Sequence, residues 1–103
     1  MSEKITISEA IAGYLGTVRL ARSENTARTY ANALNFFTQV LDVRNISPDE
    51  TPIMEISEDA LAWTITALKI YAPTTERLYL AALTGFYKYL VAERLAEINL
   101  PRL

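Results

Sequence analysis

Apolar residues recur at three- and four-residue spacing in four separate runs of this chain, and nowhere do β-branched residues alternate with polar ones long enough to make a strand. That period predicts an all-α fold, because only helices present such stripes as one continuous buried face. The first run, Ile7, Ile11, Tyr14, Leu15 and Val18, follows Thr6 and Glu9, whose spacing is that of a capping box, so a helix is expected over about 7–21. Gly13 and Gly16 inside it cost about 1 kcal/mol each relative to Ala, which makes this helix dependent on packing. Ser23 caps the second helix, expected over 24–42, whose stripe is Ala27, Tyr30, Leu34, Phe37 and Leu41. Its opposite side reads Asn25, Arg28, Thr29, Asn32, Asn35 and Gln39.

From Val43 to Ile56 two prolines and a run of acids break any period, and a loop of about a dozen residues is expected there. Ser57 then caps a third helix over 58–72, with Leu61, Ile65, Leu68 and Ala72 inward and Pro73 as its stop. Thr74 or Thr75 caps the fourth, over 75–94, where Tyr79, Leu80, Leu83, Phe86, Tyr87 and Leu90 cover more than half the circumference. Its polar stripe is Arg77, Ala81, Thr84 and Lys88.

At 103 residues with 50% apolar and 21% charged side chains, the chain is of the size and composition of one globular domain. No apolar run is long enough for a membrane span and the start lacks a secretory pattern, so a cytoplasmic location without membrane partners is expected. With no Cys and no His, disulfides, thiolate metal sites and the usual neutral-pH general base are excluded, and no cofactor or small-molecule substrate is expected. The carboxylates of 42–60 lack the Asp-x-Asp-x-Asp-Gly pattern of a calcium loop, so no metal is expected either. The net charge of -2 conceals a strong segregation. Within 42–60, Arg44 stands alone against Asp42, Asp49, Glu50, Glu55, Glu58 and Asp59, while the chain on either side carries a surplus of cations.

ThrIleSerGluAlaIle at 6–11, SerGluAsnThrAlaArgThrTyr at 23–30, a long loop before IleSer at 56–57, AlaLeuThrGlyPheTyrLysTyrLeu at 82–90 and AsnLeuPro at 99–101 occur in that order. In this order and spacing the chain resembles the N-terminal SAM-like core-binding domain of tyrosine recombinases, the phage integrase family, over about residues 5 to 101. The resemblance implies a four-to-five-helix orthogonal bundle that closes over double-stranded DNA as the non-catalytic half of a clamp, in DNA integration and recombination. It also implies that the chain is a fragment of a longer recombinase whose catalytic domain follows residue 103. That catalytic domain and other recombinase protomers on DNA are then its protein partners, and none of the six tyrosines here is the nucleophile.

By resemblance, the starts of the second and fourth helices meet the DNA, which nominates Asn25, Thr26, Arg28 and Thr29, and then Thr75, Arg77, Thr84 and Lys88. Relatives commonly carry basic residues where this chain has Leu78 and Thr84, and a polar or basic one at Gly85, so affinity near the nonspecific range of about 10^-4 to 10^-6 M is expected. The acidic 42–60 segment is expected to face away from phosphates. Bland readings stand beside these. Asn25 and Thr26 suit local amide capping equally well, and Arg28, Arg77 and Lys88 suit ordinary solvated charge. Trp63 falls off its helix's apolar line, so it either packs under the long loop or lies half exposed at a partner surface. The alternative function is a helical protein-interaction module using Trp63, Ile70, Leu95, Ile98 and Leu100, residues of which the C-terminal ones are otherwise expected to dock on the catalytic domain or a neighbouring protomer.

Overall fold

In the computed structural model, which describes residues 5–96, helix α1 spans Ile7–Ala21 and opens on the capping box. The Glu9 amide donates to Thr6 Oγ1 at 3.1 Å and the Thr6 amide donates to Glu9 Oε1 at 2.9 Å. The remaining free amides of the first turn are met from elsewhere in the chain: Ile7 donates to the Thr51 carbonyl at 2.9 Å and Ser8 to that of Pro48 at 3.0 Å. Ile53 donates to the Ile5 carbonyl at 2.7 Å, and Thr6 and Pro52 form an isolated antiparallel bridge. The long connection is therefore anchored on the start of α1, and it contains a 3-10 turn at Ile53–Glu55 whose Ile53 enters the core.

Helix α2 spans Glu24–Val43, with the Ser23 hydroxyl accepting from the Thr26 amide at 3.2 Å. It ends on Asn45, which has φ 63°, while the Ile46 amide reaches back to the Leu41 carbonyl and that of Asn45 to Asp42. This is a Schellman stop in which Asn supplies the left-handed residue. Helix α3 covers Glu58–Ala67 and continues into a 3-10 turn, Leu68–Ile70. Helix α4 covers Pro73–Ala92 and closes on a second Schellman stop with Arg94 at φ 58°.

Three expectations for α3 and α4 are corrected. α3 stops at Ala67 and Ala72 is exposed, so Pro73 does not end that helix. It begins the next one, at the first-turn position where a proline lacks only an amide that would be unbonded anyway. Ala72 is accordingly the N-cap of α4, and neither Thr74 nor Thr75 makes a capping bond. Ser57 is the N-cap of α3 but its hydroxyl makes no cap bond; its carbonyl instead accepts from the Tyr87 hydroxyl at 2.7 Å, which ties the start of α3 to α4.

The four helices, with no strand among the described residues, form an all-α bundle. Its core joins Ile7, Ile11, Tyr14 and Val18 of α1, Leu34, Phe37 and Leu41 of α2, Leu61 of α3, and Leu83, Phe86, Tyr87 and Leu90 of α4. Phe37 meets Phe86 and Tyr87 edge-on at 6.1 and 6.2 Å between centroids. Trp63 is half-buried beneath Arg44, whose guanidinium lies 4.0 Å from the ring centroid, so it packs under the first residue of the long connection.

Candidate nucleic-acid interface

The first turn of α2 is locally self-satisfied. Ser23 is the cap, its hydroxyl also donating to Thr26 Oγ1 at 3.0 Å, while Arg28 donates to Asn25 Oδ1 at 3.3 Å and the Thr29 hydroxyl to the Asn25 carbonyl at 3.1 Å. The structure thus gathers Asn25, Thr26, Arg28 and Thr29 into one exposed or half-exposed turn. Arg28 and Asn25 lie in the open, with no carboxylate on Arg28 among the described residues.

The α4 residues divide between two sides of their helix. Arg77, Ala81, Thr84 and Lys88 do share one face, exposed except for a half-buried Thr84. Thr75, two residues before Arg77 and so about 200° around the helix, is half-buried on the side of Tyr79 and the core residue Ala82. No hydrogen bond or ion pair among the described residues joins the α2 group to the α4 group. They are coupled through the core beneath them: Tyr14 stacks with Tyr30 of α2 at 6.4 Å, packs on Phe86 and Tyr89 of α4 at 5.5 Å, and its hydroxyl donates to the Ala82 carbonyl at 2.9 Å.

Arg19, which no sequence motif singles out, lines a shallow groove of about 450 Å³ with Glu24, Ala27, Arg28 and Ala31. The signal was in the sequence order. α1 ends three residues before α2 begins, so cations in the last turns of one helix necessarily sit beside the first turns of the next. Glu24 lines that groove as well, but the acidic segment lies elsewhere. Ser8 donates to Asp49 at the opposite end of α1, and the 11 residues from Ser8 to Arg19 span roughly 16 Å of helix.

The buried tyrosines are structural. Burial pushes the Tyr14 hydroxyl up to about 12, with Tyr30 adding to the rise and Arg22 opposing it. Burial raises Tyr87 as well, against a backbone hydrogen bond from Leu61. Held protonated, both hydroxyls act as hydrogen-bond donors, Tyr14 to the Ala82 carbonyl and Tyr87 to that of Ser57. Among the described residues, no three carboxylates converge as cation ligands would.

The family model described as phage integrase, N-terminal SAM-like domain, matches residues 11–94, which takes in α2, α3, α4 and all but the first turn of α1. The chain belongs to that family. In family terms the SAM-like domain is the N-terminal, non-catalytic part of an integrase, which connects this chain to the tyrosine recombinases. No curated protein and no solved structure matches it significantly. Within the SAM-like domain, Gly85 acquires a reason that a missing cation does not give it. A Cβ there would fall 2.5 Å from the Tyr14 hydroxyl, so the position is held small by the crossing of α1 and α4.

No helix among the described residues is long and apolar enough to cross a membrane. The apolar C-terminal surface reaches Leu95, half-buried, and Ala96, buried; Ile98, Leu100 and the AsnLeuPro of 99–101 lie outside the described residues.

Proposed function

We propose that this SAM-like domain binds double-stranded DNA as the non-catalytic half of a clamp in a site-specific tyrosine recombinase, the catalytic half being supplied by a further domain of the parent chain. The observation that carries the reading is the segregation of charge about α1. Arg19 and Arg28 share one groove where α1 gives way to α2, while the acidic connection is bonded to the other end of α1. Phosphates near α2 therefore meet Arg19 and Arg28 at a helix start, with Glu24 the carboxylate lining the same groove, while the carboxylates of the long connection stay about a helix length away. Asn25, Thr26, Arg28, Thr29 and Thr75 contact the backbone and groove edges; Arg77, Thr84 and Lys88, on another side of α4, are outer candidates for a phosphate contact that the salt slopes decide.

Salt-dependent binding to a generic duplex tests this. Each phosphate neutralised contributes about 0.9 to the slope of log affinity against log salt, so Arg28→Ala should lower the slope by about that much. Equal losses for Arg77→Ala and Lys88→Ala would put the α4 stripe on the DNA; unchanged slopes would return those two to solvated surface charge. One observation favours a second reading. Val43 and Ile70 are 82% and 76% exposed, and a groove of about 400 Å³ runs between Val40, Val43, Arg44, Trp63, Thr66 and Ala67. A protein-interaction module using that groove would bind its partner with little salt dependence and leave DNA alone.

A further inference from the structure

The outward face of α2 continues well beyond its first turn. Asn25, Arg28, Asn32, Asn35 and Gln39 fall within about 80° of one another around the helix, and all five are exposed. Between Glu24 and Asp42 this helix carries no carboxylate and only one cation, Arg28. A solvated helix face ordinarily mixes Lys, Arg, Glu and Asp. Here its place is taken by carboxamides.

Asn is also a poor choice for the exposed interior of a helix, because its side chain competes for nearby backbone groups. Asn32 and Asn35 do not even gain that local bond: the side chains of Asn32, Asn35 and Gln39 have no hydrogen-bond partner among the described residues, and Asn35 contributes only its backbone carbonyl, to Thr38. Three donor–acceptor side chains are thus presented outward and unengaged, over a stripe that with Asn25 runs roughly 21 Å.

What borders the stripe indicates its occupant. On the α1 side lies the groove lined by Arg19 and Arg28, two cations against the one carboxylate of Glu24. On the α4 side Phe36, next to Asn32 on the helix surface, meets Tyr71 edge-on at 5.3 Å, and Tyr71 meets Tyr79 at 5.2 Å. Tyr79 is in turn the helical neighbour of Thr75, so the Asn32 side of α2 and the Thr75 side of α4 border one strip of surface. The acid in the first turn of α4, Glu76, is paired with Lys69 at 2.8 Å.

We infer that Asn32, Asn35 and Gln39 read base edges in the major groove, with α2 lying in the groove and Arg19 and Arg28 against its phosphate wall. A major groove admits one helix, and Asn or Gln carboxamides match the N6 donor and N7 acceptor of adenine in a two-bond contact. The inference rests on the DNA-binding reading and assigns its sequence preference: A·T pairs at fixed positions, discriminated on the order of tenfold per engaged carboxamide.

The test is selection from a random duplex pool at low salt with the wild-type chain, Asn32→Ala, Asn35→Ala, Gln39→Ala, the triple variant and Arg28→Ala. Alanine favours helix at all three carboxamide positions, so α2 should be retained, and circular dichroism checks it. The expected result is an A·T preference at fixed positions in the wild type and loss of one position in each single variant. The triple variant should show no preference while its affinity for the unselected pool falls less than about threefold, and Arg28→Ala should weaken all duplexes alike. An unchanged preference in the triple variant, or wild-type binding without any preference, overturns the inference and leaves DNA binding standing. No binding of the wild type to any duplex overturns both.

Discussion

Gly16 and Gly85 are both helical glycines, and their surroundings give them opposite roles. Around Gly16 nothing lies within 4 Å of an added Cβ, so Gly16→Ala should stabilise the domain by about 0.5–1 kcal/mol through helix propensity alone. At Gly85 the same methyl collides with the Tyr14 hydroxyl, so Gly85→Ala should destabilise by about 1–3 kcal/mol and disturb the bond to the Ala82 carbonyl. Tyr14→Phe removes the colliding oxygen. The double variant should therefore be more stable than the two single effects predict, a coupling that chemical denaturation of all four proteins measures. Tyr14 also sets a pH dependence. Its hydroxyl ionises near 10 in the unfolded chain and near 12 in the fold, so its stabilising contribution is complete below pH 10 and is lost as pH rises from 10 through 12. Burial of Tyr87 acts in the same direction. Alkaline unfolding curves should show this fall, and Tyr14→Phe should flatten it. None of this was legible at the residue itself, because Gly85 reads in sequence as a lost polar position and its constraint comes from a tyrosine on another helix.

The starts of α1 and α2 were legible because their signals are local: Thr6 with Glu9, and Ser23 with the Thr26 amide, complete their bonds within three residues. The start of α4 was misread because a proline both ends one helix and begins another. The Tyr71–Ala72 link, which decides between those roles, follows a 3-10 turn that no sequence period marks. The long connection read as a loop because its order comes from backbone bonds to Ile5, Ile7 and Ser8, far away in sequence. Helix ends carry a prediction. Arg94 adopts the left-handed conformation at φ 58° to close α4, a conformation that costs a residue with a Cβ about 1–2 kcal/mol and glycine much less. Arg94→Gly should thus raise stability by about 0.5–1 kcal/mol in a thermal or denaturant melt, with a smaller gain for Asn45→Gly because Asn tolerates that region.

Over the whole molecule, the sequence already contained the segregation of acids into 42–60, but not which end of which helix would receive them. The fold answers by bonding that segment to the start of α1 and bringing Arg19 beside Arg28 at its other end. It also divides what looked like one α4 site, since Thr75 shares a border with α2 and Arg77, Thr84 and Lys88 do not. The charge arrangement supports a duplex along α2, and the measurement that tests this most directly is an amide chemical-shift titration with a generic duplex, at low salt and at about 0.2 M. The account predicts shifts centred on Arg19 and on Asn25 to Thr29, continuing along Asn32, Asn35 and Gln39 and to Thr75, which fade at the higher salt, while Asp49 to Glu55 stay still. Shifts confined to Val40, Val43 and Trp63, or none at millimolar duplex in low salt, would contradict it.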